Sequence, residues 1–348
     1  MNARIYLDWN ATAPLRPEAR AAMIDAMDVV GNPSSVHAEG RAARALVEKA
    51  RAQVAAALGA EGADIVFTSG ASEAAALACA GRWLQAGDIE HDAVAAWVDP
   101  CLKVDGAGRV AVRDPGHTAL QLANSETGVI QDIPEGLAVC DMTQAFGKLP
   151  VAFNWLGAEM ALISAHKLGG PKGIGALVMR RGCDLEARIR GGGQEMGRRA
   201  GTENIIGIAG FGAAAEAAAA DLLTEKWAKT EQLRNILENI IAAGANKTIF
   251  VGKEARRLPN TSCFATPGWK GETQVMQMDL AGVAISAGSA CSSGKMRASR
   301  VLGAMGLGEE AAASAIRVSI GPDTSEAEIR RFADMWLAAE AKFRARGA

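Results

Sequence analysis

The stretch ISAHKLGGPKGIGALVM, residues 163–179, places a lysine between two short apolar runs. The run MALIS (residues 160–164) ends just before that lysine, and IGALVM (174–179) follows a glycine-rich turn. Short apolar runs bounded by turn residues are typical of strands that are buried on both faces of a sheet. Lys167 therefore stands at the end of a predicted strand, where open α/β sheets bind ligands.

Strand and helix patterns alternate on the N-terminal side of this stretch. DIVFTSG (64–70) and LAVCD (137–141) predict two further buried strands. Apolar residues recur at helical spacing over 17–30, 40–58 and 71–84. Because strands alternate with helices over some 200 residues, we expect an α/β fold with a mostly parallel mixed sheet flanked by helices.

The C-terminal third has a different organisation. An alanine-rich segment from Gly207 to about Ala243 predicts one long helix that leads to a smaller α+β domain. In that domain, Ser325 and Glu328 fit a capping box at the start of a closing amphipathic helix. We expect a large domain over residues 16–245 and a small domain over residues 1–15 and 246–348.

The composition excludes several classes of protein. The chain has 348 residues, of which 49% are hydrophobic and 22% charged, with a net charge of -2. Without a strong basic run, no nucleic-acid surface is expected. The N-terminal segment has no secretory h-region, and the apolar stretch 205–215 is too short to span a bilayer. We therefore expect a cytoplasmic protein with no membrane partner.

Six cysteines are present, and one of them has an unusual setting. No CxxC pair, HExxH motif or Cys/His cluster occurs, so no metal site is expected. Cys291 lies in AISAGSACSSGK (284–295), among glycine and serine residues. This composition predicts a flexible, solvated loop, whereas a structural cysteine normally packs among large apolar groups. A thiol on such a loop could move to meet a reaction partner.

Two segments predict the binding of a carbonyl compound and of an anion. Lys167, preceded by Ser164 and His166, could form a Schiff base if burial lowers its pKa, although a surface lysine in a turn has the same sequence pattern. FTSGASEAA (67–75) reads as a strand, a glycine turn and a helix, and its helix N-terminus with Ser72 could bind a single phosphate. A purely structural N-cap remains the alternative for Ser72.

Three further polar residues stand at strand ends or turns. Asp141 follows an apolar strand directly, with Gln144 three residues later, and a protonated pyridine nitrogen would be a good partner for its carboxylate. A helix N-cap or a surface salt bridge is the alternative for Asp141. His91 and Asn124, taken singly, are equally compatible with structural roles.

Taken together, the motifs resemble those of the pyridoxal-phosphate-dependent cysteine desulfurases, in the class V branch of fold-type I aminotransferases. The matching segments stand in family order from about Ile5 to Gly321: YLDWNATAP, NPSSVHAEGRAAR, FTSGASE, EHDAV, NSETGVIQDI, CDMTQAFGKLP, ISAHKLGGPKGIGAL, GGGQEMGRRAGT, SAGSACSS and AIRVSIG. The resemblance implies a large domain that binds pyridoxal 5'-phosphate and a small domain that carries the cysteine loop.

The resemblance also implies a role for each matched residue. Lys167 would hold the cofactor as a Schiff base and move the substrate's α-proton, and His91 would stack on the ring. Asp141 would pair with the pyridinium nitrogen and Gln144 with the ring hydroxyl. The residues implied for the phosphate are Ala71, Ser72, Ser164 and His166, with Thr202 from the partner subunit of a homodimer. Arg317, assisted by Asn124, would bind the substrate carboxylate.

In this family the thiol after GSA is the nucleophile, so the resemblance implies that Cys291 attacks the sulfur of L-cysteine. The products would be alanine and a persulfide on Cys291. A sulfur acceptor, such as an iron–sulfur scaffold protein, would then receive the sulfur.

Some positions depart from the family pattern. The residues after Cys291 read GKMRASRVL, so that Lys295, Arg297 and Arg300 make this flank basic, and the segment between His91 and Asn124 is short. Three alternatives stay open: a selenocysteine lyase, another class V aminotransferase or lyase that would not need Cys291, and a non-catalytic scaffold or sulfur-carrier relative.

Overall fold

The computed structural model describes residues 4–288 and 298–347. Its strands are β1 (Ile5–Tyr6), β2 (Asp64–Thr68), β3 (Gln85–Gly87), β4 (Asp99–Leu102), β5 (Ala119–Gln121), β6 (Leu137–Asp141), β7 (Ala158–Ser164), β8 (Gly175–Met179), β9 (Ile249–Phe250), β10 (Thr261–Ala265), β11 (Val283–Ala284), β12 (Ser286–Ala287) and β13 (Ala315–Ser319). Its helices are α1 (Pro17–Met27), α2 (Ala38–Leu58), α3 (Ala71–Cys79), α4 (Asp92–Ala95), α5 (Phe153–Leu156), α6 (Ile205–Leu222), α7 (Lys226–Gly244), α8 (Gly271–Leu280), α9 (Arg300–Ala304), α10 (Glu309–Ala313) and α11 (Glu326–Gly347).

A five-stranded mixed sheet forms the centre of the larger part, in the order β2-β8-β7-β6-β5. The strands β5, β6 and β7 are parallel, whereas β8 runs antiparallel to both β7 and β2. The α/β prediction is therefore confirmed, with β8 as the antiparallel member of the sheet. Because β2, β5, β6 and β7 point the same way, the polar residues at their carboxyl ends lie along one edge.

Helices cover both faces of this sheet, which explains why its strands are apolar throughout. On one face, Ile65 and Phe67 of β2 pack in a core with residues of α2 and α6, including Val54 and Phe211. On the other face, Val66 packs with residues of α3 and α4. The alternation between neighbouring residues of one strand follows the two-residue period of a β-strand.

The predicted long helix over 207–243 is broken into α6 and α7. Between them, the Thr224 hydroxyl donates to the Asp221 carbonyl at 2.7 Å and accepts from the Lys226 backbone N–H at 3.3 Å. Asp221 also forms salt bridges with Arg16 and Lys226. These local side-chain bonds replace the helical backbone bonds at the break, and helical periodicity alone does not reveal them.

A second, smaller core lies around an antiparallel sheet in the order β12-β13-β10-β9. Phe264 and Trp336 pack edge to face in it, with ring centroids 5.3 Å apart. The N-terminal residues Ile5 and Leu7 join this core, since β1 pairs with β11. Residues of α7 also pack here, including Leu237. The division into residues 16–245 and the remainder stays a prediction.

Two local expectations about helices can be compared with the structure. The capping box before α11 is confirmed, because the Ser325 N–H donates to Glu328 Oε2 at 2.8 Å and the Glu328 N–H donates to Ser325 Oγ at 3.3 Å. The apolar stretch that starts at Ile205 is longer than expected, since α6 has 18 residues and would be long enough to cross a membrane. This helix packs against α1 and α2, and a helix in the core of a protein can have the same length and apolar composition as a membrane span.

Candidate active site

A cavity of about 540 Å³ opens at the edge where β2, β5, β6 and β7 end. Eight of the residues expected at a functional site line it together. They are Ala71, Ser72, His91, Asp141, Gln144, Ser164, His166 and Lys167. They come from segments up to 96 positions apart in the sequence, and the parallel strands bring them to one place.

Lys167 ends a single 3-10 turn, Ala165–Lys167, that follows β7 directly. Its Nζ donates to the backbone carbonyls of Asn10 at 2.7 Å and Ala11 at 2.9 Å. These two carbonyls hold the amine at the cavity wall. A lysine at the wall of a cavity is placed to react with a carbonyl compound that binds there.

The N-terminus of α3 forms one end of the cavity. Gly70 precedes the helix with φ 156°, and no side chain caps the first N–H groups. Those N–H groups have no acceptor within the helix and attract anions. Glu73 steadies the turn, because its carboxylate accepts from the Ser69 N–H at 2.7 Å and from Arg199 Nε at 2.9 Å.

His166 and Lys172 also line the cavity and add polar groups to it. Burial, together with the positive charges of Lys167 and Lys172, lowers the pKa of His166 to about 4, so its imidazole is neutral at pH 7. Its Nδ1 is buried and has no hydrogen-bond partner among the described residues. The helix N-terminus and this unpartnered nitrogen fit a phosphate group, which supplies acceptor oxygens and negative charge.

Asp141 is the last residue of β6, and its carboxylate lies at the cavity wall. Oδ1 of Asp141 accepts from the Thr143 N–H at 2.8 Å, which fixes the side chain after the strand. Behind it, Glu90 is fully buried, and burial followed by the charge of Asp141 raises the pKa of Glu90 well above its usual range.

His91 both lines the cavity and begins α4. Its ring Nδ1 accepts from the Ala93 N–H at 3.1 Å, as an N-cap residue does. Arg300 holds the same turn from outside, since it donates to Asp88 at 2.6 Å, to the Glu90 carbonyl at 2.7 Å and to Asp92 at 3.2 Å. His91 can therefore serve both as the N-cap of α4 and as a residue of the cavity wall.

Arg317 lies beside the cavity on β13 rather than in its wall. It donates to Asp8 Oδ1 at 2.7 Å and to the carbonyl of Ser125, which does line the cavity, at 3.0 Å. Asn124 is buried and does not line the cavity. Its Oδ1 accepts from the N–H groups of Glu126 and Thr127, so its side chain holds the turn that presents Ser125.

Thr202 lies apart from the cavity of its own chain. Together with Gly201 and Arg199 it lines a separate space of about 110 Å³, and Ser69 borders both spaces. Within one chain, the structure does not bring Thr202 to the other residues expected at the phosphate.

Cys291, with the neighbouring Lys295 and Arg297, lies outside the described residues. Gly288 and Ser299, which stand on either side of Cys291 in the sequence, both contact Glu126, the residue that follows Ser125. Ser299 Oγ donates to Glu126 Oε2 at 2.8 Å, and a Cβ at Gly288 would stand 2.2 Å from Oε1. The described residues on either side of Cys291 therefore lie next to Glu126, which follows Ser125 of the cavity wall.

Three of the other five cysteines have settings unlike the one expected for Cys291. Cys79, Cys140 and Cys263 are buried in the cores. Burial raises the pKa of Cys79 to about 12, and it raises the pKa values of Cys140 and Cys263 well above their usual range. These three thiols are inert as nucleophiles at neutral pH.

Comparison with known proteins identifies the family to which this site belongs. The family model described as Aminotransferase class-V matches residues 5–99 and 112–332. The chain belongs to the class V aminotransferase family. Members of this family depend on pyridoxal phosphate, and the cavity fits that group, with polar groups for a phosphate at one end and the carboxylate of Asp141 for a ring nitrogen.

Similar class V proteins cover almost the whole chain. A cysteine desulfurase of Cereibacter sphaeroides is 40% identical over 95% of this chain and 94% of its own length. A cysteine desulfurase IscS of Dictyoglomus turgidum is 36% identical over 96% and 94%. The X-ray structure of a NifS-like protein from Rickettsia africae aligns with a TM-score of 0.86 and 31% identity, over 96% of this chain and 98% of that one. The fold-type I architecture is thereby confirmed.

Several polar residues of the site were not singled out by the sequence patterns. Thr12, Gln121, Thr143 and Lys172 line the cavity, and Asn10 and Lys148 lie behind it. Lys148 follows Gln144 by four residues, a spacing that could have linked the two. Asn10 gives no such local signal, because its partners come from segments 115 to 309 positions away.

Proposed function

We propose that the protein is a pyridoxal-phosphate-dependent cysteine desulfurase, which converts L-cysteine to L-alanine and keeps the sulfur as a persulfide on Cys291. The observation that carries the proposal is the shared cavity, which brings Lys167, Asp141 and His91 together with a phosphate-binding helix N-terminus. The names of the relatives, cysteine desulfurase and IscS, support the choice of substrate.

Different residues of the cavity are assigned to different parts of the cofactor. Pyridoxal phosphate, when bound, supplies an electron sink for the substrate carbon. Lys167 would hold the cofactor covalently and move the substrate's α-proton, and the Asp141 carboxylate would keep the ring nitrogen protonated. Ala71, Ser72, Ser164 and His166 bind the phosphate at the end of the cavity that they line.

The substrate carboxylate binds to Arg317, which already lies next to Ser125 at the cavity wall. The Cys291 thiolate then attacks the substrate sulfur, so that a sulfur–sulfur bond forms and the carbon–sulfur bond breaks. The electron pair of the broken bond stays on carbon, which takes up protons and leaves as alanine. Gly288 and Ser299, on either side of Cys291 in the sequence, lie next to Glu126, the neighbour of Ser125 at the cavity wall, and this supports the role of Cys291.

The decisive experiment gives L-cysteine and a reductant to the wild type and to Cys291→Ala, and quantifies alanine and sulfide. We expect alanine from the wild type only, while both proteins keep the visible absorbance of the bound cofactor. Cys101→Ala is the matched control, because this exposed thiol lies on β4 and should be dispensable. Equal alanine from both proteins would refute the role of Cys291, and none from a wild type with bound cofactor would refute the substrate.

We propose that the protein acts as a cytoplasmic homodimer, in which Thr202 of one subunit reaches the phosphate of the other. The placement of Thr202 outside the cavity of its own chain supports this arrangement. We further propose that the persulfide passes to an acceptor protein such as an iron–sulfur scaffold. The basic residues Lys295 and Arg297 follow Cys291 and favour an acceptor with an acidic surface, whereas Arg300 is paired with Asp88 and Asp92.

A further inference from the structure

Lys148 is a buried lysine close to the cavity. Only 3% of its surface is exposed, and its Nζ donates to Gln144 Oε1 at 2.6 Å and to Asn10 Oδ1 at 2.9 Å. Both acceptors are neutral amides, and no carboxylate pairs with Lys148 within residues 4–288 and 298–347. Burial, followed by the charges of Lys167 and Arg317, holds the pKa of Lys148 well below its usual range.

Such an arrangement is costly for the folded protein, so it needs an explanation. An amine removed from water without an anionic partner loses hydration that neutral amides replace only in part, and this loss disfavours its charged form. A leucine or methionine would fill the same space without that cost. The use of a lysine here therefore points to a task at the neighbouring site.

The first consequence concerns the orientation of Gln144. Lys148 Nζ donates to Gln144 Oε1 at 2.6 Å, so the Gln144 amide turns its oxygen toward Lys148. Its Nε2 then lies on the other side, where one N–H donates to the Asn10 carbonyl at 2.9 Å. The second N–H remains for an acceptor in the cavity that Gln144 lines. With the opposite orientation, Gln144 would present an oxygen and repel such an acceptor.

The second consequence concerns Lys167. Asn10 accepts from Lys148 through its side-chain oxygen and from Lys167 through its backbone carbonyl at 2.7 Å. Its Nδ2 donates to Thr261 at 2.8 Å, which ties the same residue to β10. One residue therefore holds both lysines in fixed positions.

We propose that Lys148 is a positioning residue, which orients the Gln144 amide so that an N–H group faces the ring oxygen of the cofactor. The inference rests on the cofactor assigned under Proposed function, and it concerns binding rather than turnover. Lys148 itself lines no part of the cavity and acts through Gln144.

A double-mutant cycle on cofactor affinity tests this proposal. The dissociation constant of pyridoxal phosphate is measured for the wild type, Lys148→Met, Gln144→Ala and the double variant. We expect each single change to raise it about tenfold, as the loss of one hydrogen bond would. If Lys148 acts through Gln144, the double variant also shows about a tenfold rise, because Gln144 no longer has an orientation to lose.

Two controls separate this role from a structural one. Lys172→Met removes another lysine of the cavity wall that makes no bond to Gln144, and its effect should multiply with that of Gln144→Ala. Lys148→Met should fold at least as stably as the wild type, since it replaces a buried polar amine with an apolar side chain of similar size. Should Lys148→Met not fold, the cycle is run with Lys148→Gln, which keeps an N–H donor and should lose less affinity.

The possible results are distinct. An unchanged affinity in Lys148→Met, or a rise near a hundredfold in the double variant, overturns the role of Lys148 and leaves the proposed function intact. A wild type that binds no pyridoxal phosphate overturns both. Equal affinities of the double variant and Gln144→Ala support the positioning role.

Discussion

Arg317 and Asp8 form a salt bridge of 2.7 Å that joins β13 to the N-terminal segment. Both side chains are largely buried, with 8% and 18% of their surface exposed. Arg317 also donates to the Ser125 carbonyl at the cavity wall, while its buried Nε has no partner in the described part of the chain. The guanidinium is thus held in place and still has a donor available for a further carboxylate.

This geometry predicts a binding defect for Arg317→Lys. An ammonium cannot keep the Asp8 bond and bind a second carboxylate in the bidentate manner of a guanidinium. We expect KM for L-cysteine to rise about tenfold or more, equivalent to about 1.4 kcal/mol, with a smaller change in kcat. Steady-state kinetics with L-cysteine measure the two constants separately.

The matched control is Arg257→Lys. Arg257 forms an equally buried pair with Glu238, through two bonds of 2.8 and 3.0 Å, but does not line the cavity. The substitution Arg257→Lys should lower the free energy of unfolding without changing KM for L-cysteine. An unchanged KM in Arg317→Lys would exclude Arg317 from substrate binding.

Lys167→Ala should abolish the covalent attachment of the cofactor. No other amine in the described residues is held by the Asn10 and Ala11 carbonyls. We expect the visible absorbance of the protein to disappear after extensive dialysis, together with all alanine production. Lys172→Ala, on the same cavity wall, should keep the absorbance and bind the cofactor more weakly. Covalently bound cofactor in Lys167→Ala, detected by mass spectrometry after borohydride reduction, would contradict the assignment.

Much of this site could be predicted from the sequence because its groups stand next to strong local patterns. Asp141 and Lys167 stand at the ends of apolar strands, and Ser72 follows the glycine turn after a third apolar strand. Parallel strands bring such residues to one edge, so local patterns were sufficient to group them. The resemblance to the family motifs added the order of the segments along the chain and the roles of the site residues.

Other features depend on contacts that no local pattern contains. The N-terminal Ile5 enters the second core through a parallel pair with Val283. The break between α6 and α7 depends on Asp221, whose partner Arg16 is 205 positions away. The burial of Lys148 likewise depends on Asn10, and lysines are normally exposed.

Glu126 predicts a specific dependence of stability on pH. Burial, only partly offset by the Ser299 bond and by the charges of Arg317 and Arg300, raises the pKa of Glu126 to about 7. Between pH 4.5 and 7 the folded protein keeps a proton on Glu126 that the unfolded chain releases. The stability that this proton supplies is complete below about pH 4.5 and is lost as the pH rises through 7.

We therefore expect the free energy of unfolding to fall by up to about 3 kcal/mol over this range in the wild type, relative to Glu126→Gln. Urea unfolding at pH 5, 6, 7 and 8 measures the difference. Glu254→Gln changes an exposed carboxylate and should follow the wild type. Parallel curves for the wild type and Glu126→Gln would mean that Glu126 is ionised throughout.

Arg300→Ala should loosen the turn that carries His91. Arg300 bonds to Asp88, to Asp92 and to the Glu90 carbonyl, but its side chain is 36% exposed. The global free energy of unfolding should therefore change by only about 1 kcal/mol or less.

Local opening, by contrast, should become more frequent in Arg300→Ala. We expect faster hydrogen exchange at the Val94 and Ala95 N–H groups, which donate to the His91 carbonyl. Arg330→Ala removes an exposed pair with Glu326 on α11 and is the control. Unchanged exchange at residues 88–95 would show that the turn is rigid without Arg300.

The assignment of Thr202 to the neighbouring subunit can be tested with mixed dimers. Thr202→Ala alone should weaken cofactor binding about tenfold, since a hydroxyl bond to a phosphate is charge-assisted. In a dimer of one Lys167→Ala chain and one Thr202→Ala chain, the chain that keeps Lys167 receives an intact Thr202 from its partner. One complete site results, and half of the normal covalent cofactor should bind with wild-type affinity.

In a dimer of Lys167→Ala and Ser164→Ala chains no site is complete, because Ser164 lines the cavity of its own chain. If the Thr202 mixture binds as weakly as the Ser164 mixture, Thr202 serves the site of its own subunit.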